Sequence, residues 1–300
     1  MTATSATPEA EPAAIRSALA GWYAARGRHT LPWRRTRDPY AVLVSEIMLQ
    51  QTQVERVLPY YAAWLERWPS HAALAAAAPA DVITAWRGLG YNRRALALHA
   101  AARRVVEVHG GEFPWEPSAL RALPGVGPYT AAALRCFVRD EPVPVLDTNI
   151  ARVVARLAAG IALPRDLSPR QLEAAAAALL PDAGARDHNL ALMDLGALVC
   201  TARNPACGAC PLAAGCRWRR DGQPPPRAAA KRLAPRFEQT ARYARGRIID
   251  RLRSGPAAED ELRAMLPAGH RPRLAGYLAA LERDGLAVPI GSGAWALPPG

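Results

Sequence analysis

Lysine is almost absent from this chain. Lys231 is the only one, so the formal net charge of +12 is carried almost wholly by arginine. Chemistry that uses a lysine amine as nucleophile, such as Schiff-base formation, has one candidate side chain, and that residue lies in a linker-like stretch. No apolar run is long enough to span a bilayer, and the first residues show no basic segment leading into a hydrophobic core. The expectation is a cytoplasmic protein with no membrane partner. Cysteine is scarce as well. Five are too few for a disulfide scaffold at this length, and Cys200, Cys207, Cys210 and Cys216 crowd together, which fits a metal centre better.

Half of the residues are apolar, enough for a sizeable core, and the length suggests two or three domains. The positive charge favours an anionic partner, most simply nucleic acid. Residues 1–13 read as a disordered leader, a helical core spans 14–220, and the Pro- and Ala-rich residues 221–236 read as a linker. Within the core, a helix begins near Ala14 with Ile15, Leu19 and Trp22 on one face, and Leu31-Pro-Trp-Arg34 forms an extended turn. Tyr40–Tyr61 reads as two helices broken near Pro59, and residues 93–109 as an amphipathic helix. Cys136 reads as a core residue. Beyond the linker, Tyr243–Leu252, Glu259–Leu266 and Leu274–Asp284 suggest helices. Leu286–Ile290 and Ala294–Leu297 then suggest a β-hairpin. The order is that of a winged-helix-like α+β module over 237–300, a type that binds DNA or packs against a partner.

The chain is organised around Leu123-Pro-Gly-Val-Gly-Pro-Tyr-Thr130. Pro124 stops one helix, and Gly125 and Gly127 permit backbone angles that other residues resist. Backbone N–H groups bared around Val126, where the Thr130 helix begins, form a site for a phosphate of one DNA strand. A second segment, Val145-Leu-Asp-Thr-Asn149, leads into another helix and brings Asp147 near the sugar of the held strand.

This pattern resembles the helix-hairpin-helix DNA glycosylase superfamily, whose turn precedes a catalytic aspartate. Ser45-Glu-Ile-Met-Leu-Gln-Gln-Thr52 and the loop from Cys200 to Cys216 are similar to the adenine-specific mismatch branch, the MutY family. The resemblance covers roughly residues 14–220. It implies a mainly α, two-lobed core with an iron–sulfur loop at about 200–216, acting as a monomer on mismatched double-stranded DNA. It implies that Glu46 is the general acid, since a carboxyl group walled by apolar side chains can hold a proton near neutral pH and deliver it to a departing purine. Asp147, kept ionised by hydrogen bonds, stabilises the oxocarbenium-like sugar or attacks it, with Tyr129 and Asn149 in support. Gln51 enters the duplex, Leu89 and Tyr91 form a wedge beside the opposing base, and Arg34 lines the base pocket. The hairpin residues Gly125, Val126, Gly127 and Thr130 hold the backbone.

Two departures stand out. Asn92 occupies a place where family members often have a second aromatic, and Leu190 replaces an amide or acid that can touch the adenine. Tyr129 stands where strand-cleaving relatives place lysine, which implies base removal without strong strand cleavage. The x6, x2 and x5 spacings of the four cysteines suit a compact centre, for which zinc is the generic rival; resemblance to the family's loop implies [4Fe–4S]. Arg203, Arg217, Arg219 and Arg220 are its candidate phosphate grips. The leading expectation is a monofunctional glycosylase in base excision repair that removes adenine opposite 8-oxoguanine or guanine. A thymine or uracil mismatch glycosylase, and a catalytically idle iron–sulfur DNA-binding regulator, are the rival readings.

Overall fold

The computed structural model describes residues 11–226, 235–291 and 293–299; most of the expected leader and the middle of the expected linker, with Lys231, lie outside the described residues. The described chain runs through α1 (Pro12–Arg26), α2 (Pro39–Leu49), α3 (Val54–Arg67), α4 (His71–Ala75), α5 (Pro79–Ala85), α6 (Arg93–His109) and α7 (Pro117–Arg121). It continues with α8 (Pro128–Arg139), α9 (Thr148–Ala159), α10 (Pro169–Ala177), α11 (Ala185–Leu198) and α12 (Arg217–Arg220). The C-terminal part holds α13 (Ala241–Leu252), β1 (Ala257–Ala258), α14 (Glu259–Met265), α15 (Leu274–Arg283), β2 (Val288–Pro289) and β3 (Ala294–Ala296). The mainly helical expectation holds, and among the described residues no helix is long and apolar enough to cross a membrane.

Two boundaries differ from the reading of the sequence. The first helix starts at Pro12, inside the expected leader, with Glu11 at its N-cap position; proline at the first helical position is already set to the helical φ. Its buried face is Ile15, Leu19 and Tyr23, four residues apart, with Tyr23 in place of Trp22. The break between the next two helices falls at Gln50–Gln53, and Pro59 lies within α3. Burial of Val57, Tyr61 and Trp64 on one face of α3 outweighs the roughly 3 kcal/mol that an interior proline costs a helix.

The chain divides into two compact units, one drawn from Met1–Arg37 and Pro128–Ala230, the other from Asp38–Gly127 and Lys231–Gly300. In the first, α9 is the central element, packed by α10, α11 and α12, while α1 covers α11. In the second, α6 packs on α2, α4 and α5, and the C-terminal module belongs to the same unit. The module follows the expected helix order and hairpin. Its sheet has a third strand: β3 pairs antiparallel with β1 through Ala257 and Trp295, and with β2 through Val288 and Ala296. Two residues are too few for β1 to show the alternation that marks a strand. Ile83 of α5 sits in one apolar cluster with Ile248, Leu262, Leu278 and Trp295, with Leu96 of α6 packed against it. The module therefore shares its core with the helices at 38–127.

Candidate active site and cysteine loop

In the first unit, the carboxylate of Asp147 caps α9. Its Oδ1 accepts from the backbone N–H groups of Asn149 at 2.9 Å and Ile150 at 2.6 Å, while Oδ2 accepts from the Asn149 side-chain amide at 2.9 Å. A carboxylate at a helix N-terminus satisfies N–H groups that have no partner within the helix and meets the positive end of its dipole. The half-buried site pushes the other way. Burial is the larger influence, and it raises the Asp147 pKa above the ordinary aspartate value despite the three hydrogen bonds and the charge of Arg152. The hydrogen bonds expected to keep this carboxyl ionised do lower its pKa, but burial outweighs them.

The supports of Asp147 reach into the cysteine loop. Asn149 Oδ1 accepts from Arg152 at 3.0 Å, and the same guanidinium donates to the carbonyls of Gly196 at 2.6 Å and Cys200 at 2.7 Å. Gly196 is required here: a Cβ would lie 2.6 Å from that of Asn149. The extended residues before Asp147 are pinned by Asn189, which accepts from Val145 N–H at 3.0 Å and donates to the Val143 carbonyl at 3.2 Å. Leu190 beside it is buried. Tyr129 is half-buried on α8, whereas Thr130 is buried on the face it shares with Ala133, Leu134 and Phe137. Its side chain is therefore internal instead of offered to DNA.

Arg34 is likewise no surface contact. It is 8% exposed and grips Asp194 bidentately, at 2.5 and 2.7 Å, while Arg28 binds the same carboxylate through its backbone N–H and Nε. Burial would raise the Asp194 pKa, but hydrogen bonds and charge from Arg34 and Arg28 outweigh it and hold the carboxyl below its ordinary value. Asp194 was not singled out from the sequence; a lone acid among Leu192, Met193 and Leu195 in a helical stretch of an arginine-rich chain is the signal that could have found it.

Cys200, Cys207, Cys210 and Cys216 line one recess with Arg156, Val199, Pro205, Ala213, Trp218 and Arg219. Arg156 donates to the Cys200 sulfur at 3.4 Å and to the Thr201 and Ala202 carbonyls, and it stacks on Trp218. Gln223 donates to the Cys207 sulfur at 3.3 Å. Burial pushes the Cys210 thiol up to about 11 and raises Cys216, so thiolates here call for a cationic centre. Arg203, Arg217, Arg219 and Arg220 are exposed, although Arg217 and Arg220 face Asp221. Cys136 is buried away from the recess, as expected.

In the second unit, Glu46 is 6% exposed on α2, a helix buried at every position from Tyr40 to Met48. It is not a solvent-facing glutamate. Two turns nearby carry positive backbone angles at non-glycine residues, φ 57° at Gln51 and φ 47° at Tyr91, a conformation that persists only where the surroundings impose it. Arg94, at the start of α6, imposes it on both. Nη1 donates to the carbonyls of Ile47, Met48 and Gln50 at 2.9, 3.1 and 2.6 Å, and Nη2 to those of Leu89 and Gly90 at 2.9 and 3.1 Å. Its guanidinium lies 5.3 Å from the Trp86 ring centroid and 5.5 Å from that of Tyr91. Desolvation lowers its pKa to about 10. In sequence this residue is one arginine among several on an amphipathic helix, so nothing set it apart.

Gln51 and Tyr91 are exposed, and Leu89 is buried at 5%. Of the two residues expected to form the wedge, only Tyr91 has its side chain at the surface. Gly125 and Gly127 are exposed at the turn after α7 while the Val126 side chain points inward. Gly125 has φ +79°, and a Cβ there would lie 3.0 Å from that of Ala97.

Replacing Arg94 by alanine leaves the gathered carbonyls without their donor. It should cost on the order of 3 kcal/mol, seen as a lower denaturant midpoint together with faster amide exchange at residues 50–52 and 89–92. Replacing Asn149 by leucine removes a donor from Asp147, and the Asp147 carboxyl should then titrate at higher pH than in the parent, as followed by carbon NMR of labelled aspartate. An unchanged titration would show that the amide does not support the carboxylate.

Comparison with known proteins agrees with this geometry. Residues 44–181 match the model of the HhH-GPD superfamily of base excision DNA repair proteins, and residues 200–216 match the iron–sulfur binding domain of endonuclease III. The recess therefore holds an iron–sulfur cluster of the [4Fe–4S] type. A thermostable thymine-DNA glycosylase of solved structure superposes with TM-score 0.64 at 29% identity, covering 70% of this chain and 97% of that one. An endonuclease III in a DNA complex gives 0.59 at 22% identity, over 71% of this chain and 98% of that one, which speaks to the fold alone. The adenine DNA glycosylase of Mycolicibacterium smegmatis is 48% identical over 78% of this chain and 79% of its own length. That of Mycobacterium tuberculosis is 42% identical over 93% and 92%. Identity of that degree along almost the whole of a relative, including the C-terminal module, makes this chain a member of the adenine DNA glycosylase family.

Proposed function

We propose that the chain is a DNA N-glycosylase that removes adenine paired with 8-oxoguanine or guanine, as a monomer, in base excision repair. The observation that carries the mechanism is Asp147, a half-buried carboxylate held by three N–H donors at the start of α9. A sugar losing its base develops positive charge at the anomeric carbon, and a fixed carboxylate is the group that stabilises it. Glu46, buried on α2, donates the proton that makes adenine a neutral leaving group. Thymine has no equivalent basic nitrogen, so this acid favours the adenine reading over the thymine one.

The target nucleotide leaves the base stack first, at roughly a few kcal/mol that a mismatch reduces. Gln51 and Tyr91, exposed on their strained turns, act on the duplex during that step, and the bared turn around Gly125 and Gly127 holds the backbone phosphate. When bound, the iron–sulfur cluster cross-links four points of the loop at 200–216. The chain's own Arg152 and Arg156 connect that loop to α9. Tyr129 supplies no amine, and with a single lysine in the chain the enzyme releases the base without efficient strand cleavage. The two rival readings are weaker: the curated relatives matched along most of their lengths are adenine glycosylases, and a binder has no use for the pair Glu46 and Asp147.

Duplexes containing A:8-oxoG, A:G, T:G and U:G, treated with enzyme and then alkali, should be cleaved in the first two cases only; cleavage of T:G alone would remove the proposal. Asp147→Asn should slow single-turnover base release by about 10²–10⁴-fold with DNA affinity retained, because asparagine also caps a helix well and the fold survives. Activity should decline on acidification at a pH above the ordinary aspartate value, since the ionised form is the active one and its pKa is raised. Borohydride should trap no abundant enzyme–DNA adduct.

A further inference from the structure

The C-terminal module reaches the wedge. The Arg242 guanidinium, on α13, lies 4.6 Å from the Tyr91 ring centroid and 4.8 Å from that of Phe237, and it hydrogen-bonds the Tyr91 hydroxyl. Tyr91 and Phe237 are 40% and 48% exposed, so the arginine is stacked between two aromatic rings at the surface. Arg253 of the module donates to the Asn92 side-chain oxygen at 3.0 Å and to the Ile83 carbonyl at 3.0 and 3.2 Å. Asp284 bonds both Arg245 of the module and Arg93 of α6. These contacts converge on the short turn from Leu89 to Arg93. Asn92 is part of them, which gives a use to the residue that replaces an aromatic.

The module's third helix, α15, presents Ala275, Gly276, Glu282 and Arg283 on its exposed face, without net positive charge, and its basic residues Arg271 and Arg273 lie in the turn before it. A helix entering the major groove draws its affinity from basic residues facing phosphates and from side chains that reach base edges. Two of the module's arginines, Arg242 on α13 and Arg253 just after it, are instead engaged with Tyr91 and Asn92.

We infer that Arg242 is a positioning residue for Tyr91, so that the C-terminal module takes part in opening the base stack by holding the wedge in its extruding orientation. The inference rests on Tyr91 being the wedge. A tyrosine on a strained, exposed turn loses rotational freedom when it enters DNA, and an arginine that clamps ring and hydroxyl beforehand removes most of that cost. Arg94 binds the carbonyls of the turn and flanks the Tyr91 ring, while Arg242 contacts that ring and is the one that bonds its hydroxyl.

The test is a double-mutant cycle in the full chain, using a duplex with 2-aminopurine next to the target adenine to report extrusion, alongside single-turnover base release. Tyr91→Ala should slow extrusion. Arg242→Ala should slow it about five- to tenfold with unchanged iron content and unfolding midpoint, and should add nothing in the Tyr91→Ala background. Arg242→Lys, which keeps the charge over the ring, should recover part of the loss. Additive effects of the two alanine changes would mean that Arg242 acts through its own DNA contact, and extrusion at the parental rate in Arg242→Ala would likewise overturn the inference while leaving the wedge reading intact. Parental extrusion in Tyr91→Ala would instead remove the wedge reading, and the inference with it.

Discussion

A carboxylate at the first turn of a helix is the constraint on which the rest of the first unit depends. Asp147 terminates an extended segment and starts α9, and the N–H groups that hold it belong to the helix it caps. Its position is as rigid as the helix itself. The helix is held in turn by close approach of α11, which only Gly196 permits, and by Arg152 and Arg156, which tie it to the cysteine loop. In the proposed mechanism such an arrangement needs little reorganisation when positive charge develops on the sugar. The opposing influence of burial, which raises the Asp147 pKa, is the cost of keeping water away from that charge.

Arginine does two different kinds of work in this chain. A net charge of +12 suggests a surface made for phosphate, and exposed arginines such as Arg203 and Arg219 fit that view. Yet Arg34, Arg94, Arg152, Arg156 and Arg253 turn inward. Each gathers carbonyls or a carboxylate from segments that have no regular hydrogen-bond partners: the turns at Gln51 and Tyr91, the cysteine loop, the buried Asp194. A planar guanidinium with five donors in a fixed fork can satisfy several acceptors at once, whereas a lysine ammonium on a flexible stem cannot hold the same geometry. The near-absence of lysine thus bears on architecture as well as on which nucleophiles the chain can offer.

The elements most visible in the sequence were those with a long period or a sharp chemical signature. Helix α6 lies at the residues its periodicity indicated, the three helices and hairpin of the C-terminal module appear in order, and the four cysteines share one recess. The misplacements came from short-range competition. Pro59 reads as a breaker but sits in a helix whose apolar face is buried, and the true break at Gln50–Gln53 has no proline or glycine to mark it, because a distant arginine holds its backbone. Among the residues expected to meet DNA, Gln51, Tyr91, Gly125 and Gly127 are presented, while the side chains of Arg34, Leu89, Val126 and Thr130 are internal. A motif shows that a position matters without showing which way its side chain points.

By itself the sequence determined the residue types available for the chemistry: one acid within an apolar helical stretch, one aspartate entering a helix, a glycine turn, four cysteines at close spacing and no amine beside them. Those are properties of local chain chemistry and survive any folding detail. Only the tertiary structure decided that Arg94 gathers the turns at Gln51 and Tyr91, that Arg152 ties Asn149 to the cysteine loop, that Asp194 is the anchor of Arg34, and that the C-terminal module shares its core with α5 and meets Tyr91. Such roles arise from pairs more than forty residues apart. A buried guanidinium and an exposed one are the same letter until the acceptors around them are brought together.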